Sequence, residues 1–386
     1  MNSRERVLAA LQGSAYDRIA VDFLATTEIW EKLESYFSVP RFIPKEGDYF
    51  DTSWEDILRK LEVDCRVVSY DQFCEVPEGA FPEKGRTEYW KVLSRSTPAR
   101  MWRFVTDDGS ARDIFGRCFR VQKNANGSYE ENLPVLSKAE SVEDLRSHRW
   151  PDPSWWDFSA LPAVIERMNA GGAKHIRYRM GSVFEVAWQL RGMDTFFMDL
   201  ALQPEVPVYI MSRITEICEE TAEKALSAAG DAVDMVYFYD DIASNSGLMI
   251  SEDMWKEFIK PCHERLIAVA KRHGKKVMYH SDGSLSSVMD ALIDMEIDVL
   301  NPIQPNTKGM DPAYLKEKYG DRLSFHGGID IVELLPRGTQ DQVKAEAVRM
   351  KTVLGGGGGY IMSSSHHIQP DTPLENVLAL YDTVLR

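Results

Sequence analysis

The sequence predicts a (β/α)8 barrel, and three observations carry that expectation. Strand-like and helix-like segments alternate along the chain, the pattern of parallel α/β architecture. Eight strand-like segments can be counted, the number that closes such a barrel. No Gly-x-Gly-x-x-Gly run follows the first of them, which disfavours an open doubly wound sheet.

The elements follow in order. "NSRERVLAALQG" reads as a mature amphipathic helix rather than a targeting peptide. Asn2 or Ser3 can cap it, Val7, Leu8 and Leu11 share a face, and Gly13 stops it. "RIAVDF" (Arg18–Phe23) and "DCRVVSY" (Asp64–Tyr70) give the first two strands. Residues 89–153 then break the rhythm. Their "DDG" and "NANG" turn signals between alternating segments predict an antiparallel hairpin inserted at the barrel rim. "RWPDPSWWDF" returns the chain to the barrel.

The remaining strands are "HIRYRMG" (His175–Gly181), "DMVYFYD" (Asp234–Asp240), "KKVMYHS" (Lys275–Ser281), "IDVLNPI" (Ile297–Ile303), "RLSFHGG" (Arg322–Gly328) and "GYIMSSS" (Gly359–Ser365). Between the fourth and fifth a helix opens at "SEDMWKEF". Ser251 is its N-cap, and Glu252 and Asp253 suit the positive end of the helix dipole. It should end at Gly274, with Pro261 kinking or splitting it. The run Gly355–Gly359 lacks the Gly-Lys-Ser/Thr ending of a phosphate loop and reads as a turn into the last strand. With no low-complexity linker and no repeat of 20 to 50 residues, residues 1–386 are expected to form one barrel domain.

Composition narrows the function. The chain has 386 residues, 44% of them hydrophobic, which suffices for a large core. A net charge of −15 argues against nucleic acid and against an anionic membrane surface. The cysteines stand at 65, 74, 118, 218 and 262, an odd number with no Cys-x-x-Cys spacing. That pattern suggests a reducing, cytoplasmic setting. No apolar run approaches the ~18 residues of a membrane span.

Barrels keep their chemistry at the C-terminal ends of the strands. Here five consecutive ends carry ligand-capable groups: Asp240 and Asp241, then His280 and Asp282, Asn301 and Gln304, His326 and Asp330, and finally His366 and His367. His280 and Asp282 are two apart on a strand, so both can reach one ion. Zinc accepts imidazole nitrogen and carboxylate oxygen, and His366 or His367 could supply a third ligand across the mouth. Read individually, these residues also fit structural roles. His280 could be a hydrogen-bonded core histidine and Asp282 a helix cap. Asp240 or Asp241 could be a general base, a ligand or a cap. His326 before Gly327-Gly328 marks close backbone approach or a tight turn. Arg177 and Arg179 could grip a substrate carboxylate or form inter-strand ion pairs.

Taken in order, "SRERVLAALQG…DRIAVDF", "DIFGR", "WPDP", "HSDG", "NPIQ…GMD", "FHGGID" and "PDTPLENV" resemble the uroporphyrinogen decarboxylase superfamily, and within it the methyltransferase-like branch. The resemblance runs over nearly the whole chain. It implies a barrel with its site at the strand C-termini. The porphyrinogen decarboxylases carry an Arg-Gln-Ala-Gly-Arg segment after the first strand. "LATTEIWEKL", from Leu24 to Leu33, holds no arginine there. The corrinoid-linked methyltransferases bind zinc through His-x-Cys and a later Cys. By resemblance these positions fall on His280, Asp282 and His366, so both cysteines are replaced by residues that still bind metal. Gln304 is the nearest match to a further acidic ligand found in fold relatives.

The exchange has chemical meaning. Thiolates make zinc a soft, weak Lewis acid, whereas a His/Asp/His set leaves it harder and more electrophilic. Such a metal polarises an oxygen better as a leaving group. The resemblance therefore implies a methyltransferase moving a methyl group from an O- or N-methylated small molecule to a corrinoid protein. The divalent metal, zinc by donor type, would sit on His280, Asp282 and His366. Asp240 or Asp241 would act as acid or base. Arg177, Arg179, Asn301, Gln304, His326 and His367 would contact substrate. The corrinoid arrives on a partner, since no cobalamin domain is evident, and a homodimer is compatible with the sequence. The alternatives are a metal-free, decarboxylase-like lyase, with Arg177 or Arg179 as anchor and Asp240 as proton donor, and a non-catalytic binding protein.

Overall fold

Apolar strands that are buried on both faces pair in parallel and close on themselves. The computed structural model describes every residue except 44–48, 82, 92–99, 125–126 and 386. The barrel strands are β1 Ala20–Val21, β2 Cys65–Ser69, β3 His175–Arg179, β4 Met235–Tyr239, β5 Lys276–His280, β6 Val299–Ile303, β7 Ser324–Ile329 and β8 Tyr360–Ser364. In space they run β1-β8-β7-β6-β5-β4-β3-β2, and every ladder is parallel. The chain is thus a (β/α)8 barrel, and each strand falls within or beside its expected segment.

No ladder joins β1 to β2; Asp64 bridges the seam instead. Its N–H donates to the Val21 carbonyl at 3.0 Å, and its carboxylate accepts the Val21 N–H at 3.0 Å. Arg6 at 2.6 Å and Arg18 at 2.7 Å compensate the buried charge. A buried carboxylate without such partners would cost several kcal/mol.

The first helix, Ser3–Leu11, covers the barrel floor. Asn2 caps it, with Glu5 closing a capping box. Val7 and Ala10 pack on Ala20, Cys65 and Ile361 at the strand entrances. The expected Val7, Leu8 and Leu11 face is therefore only partly right. Leu8 and Leu11 are half-buried, while Arg6 turns inward to reach Asp64. The glycine run has its reason at the same place. Gly359 donates its N–H to the Ala10 carbonyl at 2.6 Å, and a Cβ on Gly358 would lie 2.6 Å from the Gly13 Cα.

The rim insertion is larger than a hairpin. Five antiparallel strands pair in chain order: Gly85–Lys91, Arg100–Thr106, Ser110–Arg112, Cys118–Asn124 and Gly127–Leu133. The sheet begins before residue 89 and ends well before 153. The "DDG" turn is built as expected, with Gly109 at φ +82° and Asp108 accepting the Ser110 N–H at 3.0 Å. Residues 125 and 126 of the "NANG" turn lie outside the described residues. Arg117 and Asn132 both bond to Gln189, on the helix Phe184–Arg191 that follows β3. Those bonds tie the sheet to the barrel mouth.

The helix opening at Ser251 neither breaks nor simply kinks at Pro261. It widens into a π-turn over Trp255–Ile259, then continues as Lys260–Arg272. Proline lacks an N–H and crowds the carbonyl four residues back, and the wider turn absorbs both effects. Trp255 and Ile259 anchor the turn in the core between helices and barrel. Among the described residues, no helix is long and apolar enough to cross a membrane.

Candidate metal centre and substrate pocket

β5 ends at His280, and the next three residues are pinned from both sides. Ser281 donates its N–H to the Asn301 carbonyl at 3.0 Å, and its Oγ accepts the Ile242 N–H at 3.1 Å. Asp282 donates its N–H to Asp241 Oδ1 at 2.7 Å. Gly283, at φ +87°, passes so close to Ser244 that a Cβ would meet its carbonyl oxygen at 2.6 Å. This backbone aims both His280 and Asp282 into the mouth.

The loop after β8 is fixed by its neighbours. Ser365 donates its N–H to the Ile329 carbonyl at 2.7 Å, and Ile368 to the Leu24 carbonyl at 3.0 Å. His366 is thereby carried over the mouth. One donor atom each from His280, Asp282 and His366 lies within 4.8 Å of the others. His366 Nε2 is 3.5 Å from Asp282 Oδ2, and His280 Nε2 is 3.9 Å from Asp282 Oδ1. Asp282 Oδ1 is buried without a hydrogen-bond partner. Two imidazoles and a buried, underused carboxylate oxygen are the donor set that a divalent ion such as zinc accepts.

Behind His280 lies a buried polar chain. Its Nδ1 meets Asn301 Oδ1 at 2.5 Å, and Asn301 Nδ2 meets His326 Nδ1 at 2.5 Å. His326 Nε2 bonds Asp22 Oδ2 at 2.9 Å, and Arg177 pairs with the same oxygen. Burial alone would push Asp22 up. The Arg177 charge and the His326 hydrogen bond override it and hold the carboxyl well below the usual range.

In front of His280 lies a cavity of about 320 Å³. The metal candidates His280 and His366 form one side, with His367 and Asp241. Tyr70, Tyr237 and Tyr239 form aromatic walls, and the rim sheet contributes Trp102, Asp113, Ile114 and Arg117. Arg179 reaches the cavity with Nε on Ser69 Oγ at 2.8 Å and a 2.7 Å ion pair to Asp71 Oδ2. The other oxygen, Asp71 Oδ1, is buried without a hydrogen-bond partner. So is His367 Nε2, and burial pushes that imidazole well below its ordinary value. Glu185 also lines the cavity. Burial, then the charge of Asp241, raise its carboxyl well above the usual range, which favours the protonated form.

The expected residues divide into two groups. His280, Asp282 and His366 come together, and Asp241, Arg179 and His367 face the same cavity. Asp240 does not line it. Its carboxylate is fully buried and accepts from Ser182 Oγ, the Val183 and Glu185 N–H groups and His263 Nε2. It anchors the start of the helix after β3. Arg177 is committed to Asp22, and Asn301 and His326 lie buried behind the mouth. Gln304 accepts the Gly283 N–H at 2.6 Å and so braces the loop. The sequence expects these four to contact substrate; in the structure their side chains bond to neighbours behind the mouth and are not part of the cavity lining. Sequence reasoning missed Glu185, Asp71, Asp22 and the tyrosines. Asp22 did leave a signal, a lone carboxylate inside "IAVDF". Tyr237 and Tyr239 left another, two apart on one strand face.

With this geometry in hand, similarity to known proteins becomes informative. The family model described as uroporphyrinogen decarboxylase (URO-D) matches residues 128–386. A methylated-thiol--coenzyme M methyltransferase of Methanosarcina mazei is 26% identical over 235 residues, 60% of this chain and 59% of that protein. A uroporphyrinogen decarboxylase of Rickettsia africae is 25% identical over 169 residues, 44% of this chain and 46% of that one. The chain thus spans about half the length of these curated relatives. Among solved structures, a methyltransferase from Methanosarcina mazei superposes with a TM-score of 0.63 at 19% identity, covering 99% of this chain and 98% of its own. That likeness concerns the fold.

Proposed function

The chain belongs to the uroporphyrinogen decarboxylase (URO-D) family, and from that premise we propose that it is a metal-dependent methyltransferase of the demethylating kind. It takes a methyl group from the oxygen or nitrogen of a small molecule. The acceptor is the reduced cobalt of a corrinoid carried by a partner protein. The observation that carries the reading is the convergence of His280, Asp282 and His366 at the edge of an aromatic cavity. These three residues would hold a divalent ion, zinc by donor type, and when bound it would supply Lewis acidity at the departing heteroatom. The M. mazei relative is named for a methylated thiol. The harder nitrogen and oxygen donors here favour oxygen or nitrogen instead.

The rest of the work falls to side chains of this chain. Tyr70, Tyr237, Tyr239 and Trp102 offer faces on which a flat substrate can lie. Arg179 and Asp71, paired with each other, present a donor and an acceptor to its polar substituents. Burial favours the protonated form of Glu185, which can give a proton to the leaving heteroatom. Cobalt(I) is a strong nucleophile, so positioning and leaving-group activation are the tasks that remain for the protein.

The lyase reading has less support. Arg177 is spent on Asp22, and Asp240 accepts its hydrogen bonds away from the cavity. The test is methyl transfer from a panel of methoxyaromatic and N-methyl donors to a reduced corrinoid protein, with metal content measured alongside. Transfer that disappears in His280→Ala and Asp282→Ala is expected. Transfer unaffected by either change, or carbon dioxide release from a carboxylated substrate without metal, would overturn the reading.

A further inference from the structure

The buried chain behind His280 fixes more than the position of the ring; it fixes where the proton sits. Asp22 is held as a carboxylate by its ion pair with Arg177. A carboxylate only accepts hydrogen bonds, so His326 must bring an N–H to it through Nε2, 2.9 Å away. His326 is fully buried, and burial lowers its affinity for a second proton. Its other nitrogen, Nδ1, faces the Asn301 amide nitrogen, which can only donate, so Nδ1 accepts. Asn301 turns its NH2 towards His326, at 2.5 Å, and its amide oxygen towards His280. An amide oxygen only accepts, so His280 carries its proton on Nδ1. Nε2 is left bare on the side where Asp282 and His366 stand.

We propose that Asp22, His326 and Asn301 are positioning residues that lock His280 as the Nδ1–H tautomer, keeping the Nε2 lone pair ready for a divalent cation. The relay joins β1, β7 and β6 to the ligand on β5, so four strands cooperate in orienting one nitrogen. Metal-binding histidines commonly have the second ring nitrogen held in this way, and removing the holder weakens metal binding about 10- to 100-fold. The inference uses the metal centre of the proposed function and not its methyl chemistry.

The decisive measurement is nitrogen NMR of histidine-labelled, metal-free protein, with His280→Ala used to assign the signal. Wild-type His280 is expected to show a protonated Nδ1 and an unprotonated Nε2. A proton on Nε2 would overturn the relay, and this result needs no relay variant. In Asn301→Leu, shown folded by circular dichroism, the ring should shift towards the Nε2–H form. Its affinity for Zn²⁺ added alone should fall about 10- to 100-fold. An unchanged tautomer and affinity would also overturn the proposal. Correct tautomer and metal binding without methyl transfer would sink the proposed reaction and leave the relay standing.

Discussion

Among single residues, Asp240 separates structure from chemistry most sharply. It lies at a strand end, as a catalytic carboxylate would, but four donors saturate it away from the cavity. Burial would raise its pKa, while His263 and the Ser182 hydroxyl together bring it below the usual carboxylate value. The sign follows from that lowering. Its contribution to stability is complete above the unfolded carboxylate pKa of ~3.9 and is lost as pH falls through the lower folded value. Asp240→Ala should therefore cost about 3–5 kcal/mol at pH 7, and the deficit relative to wild type should shrink in acid. Urea unfolding from pH 7 downwards checks this. Full stability with abolished turnover would instead restore a catalytic role. The sequence placed Asp240 at the right strand end, yet its partners come from residues 182–185 and 263. Such distant partners are invisible to spacing. His280 and Asp282 were legible because they stand two residues apart, the histidine ending β5 and the aspartate in the turn just after it. His366 became legible through the family resemblance.

At the scale of elements, the metal loop and the rim sheet make separable demands. Gly283 must pass Ser244 with no side chain, at a φ that other residues resist. Gly283→Ala should cost about 1–3 kcal/mol and weaken metal binding, because Asp282 is its neighbour. Thermal melts and metal titration read the two effects together. The rim sheet supplies Trp102 and Arg117 to the cavity but no member of the His280, Asp282 and His366 set. Replacing both by alanine should raise KM about 10-fold or more, the loss of one charged hydrogen bond, with metal content unchanged. Steady-state kinetics and elemental analysis test that split. The sheet also shows where reading by pattern ran short. Turn signals announced antiparallel strands, but the number of strands depends on which segments pair. The π-turn before Pro261 was similarly hidden, since proline signals a disturbance without saying how it is absorbed.

For the whole molecule, an ion held between β5 and the loop after β8 would tie opposite walls of the barrel. Binding to the native protein and not to the unfolded chain would, with free ion at 100 times Kd, add about 2.7 kcal/mol. The melting temperature should rise with added Zn²⁺, fall with chelator, and respond to neither in His280→Ala. Barrel closure itself was foreseeable from eight alternating segments, but the seam was not, because it depends on Asp64 rather than on a ladder. That seam has a consequence of its own. Seven of the eight joins between staves are backbone ladders, while the eighth is held by one backbone hydrogen bond, the Asp64 carboxylate and two arginines. Breathing of the wall should begin there, and the amides of Val21 and Asp64 should exchange with deuterium sooner than those in the middle of β5. Asp22 is the next residue along, so the loosest join in the wall adjoins the anchor from which the His280 proton takes its place.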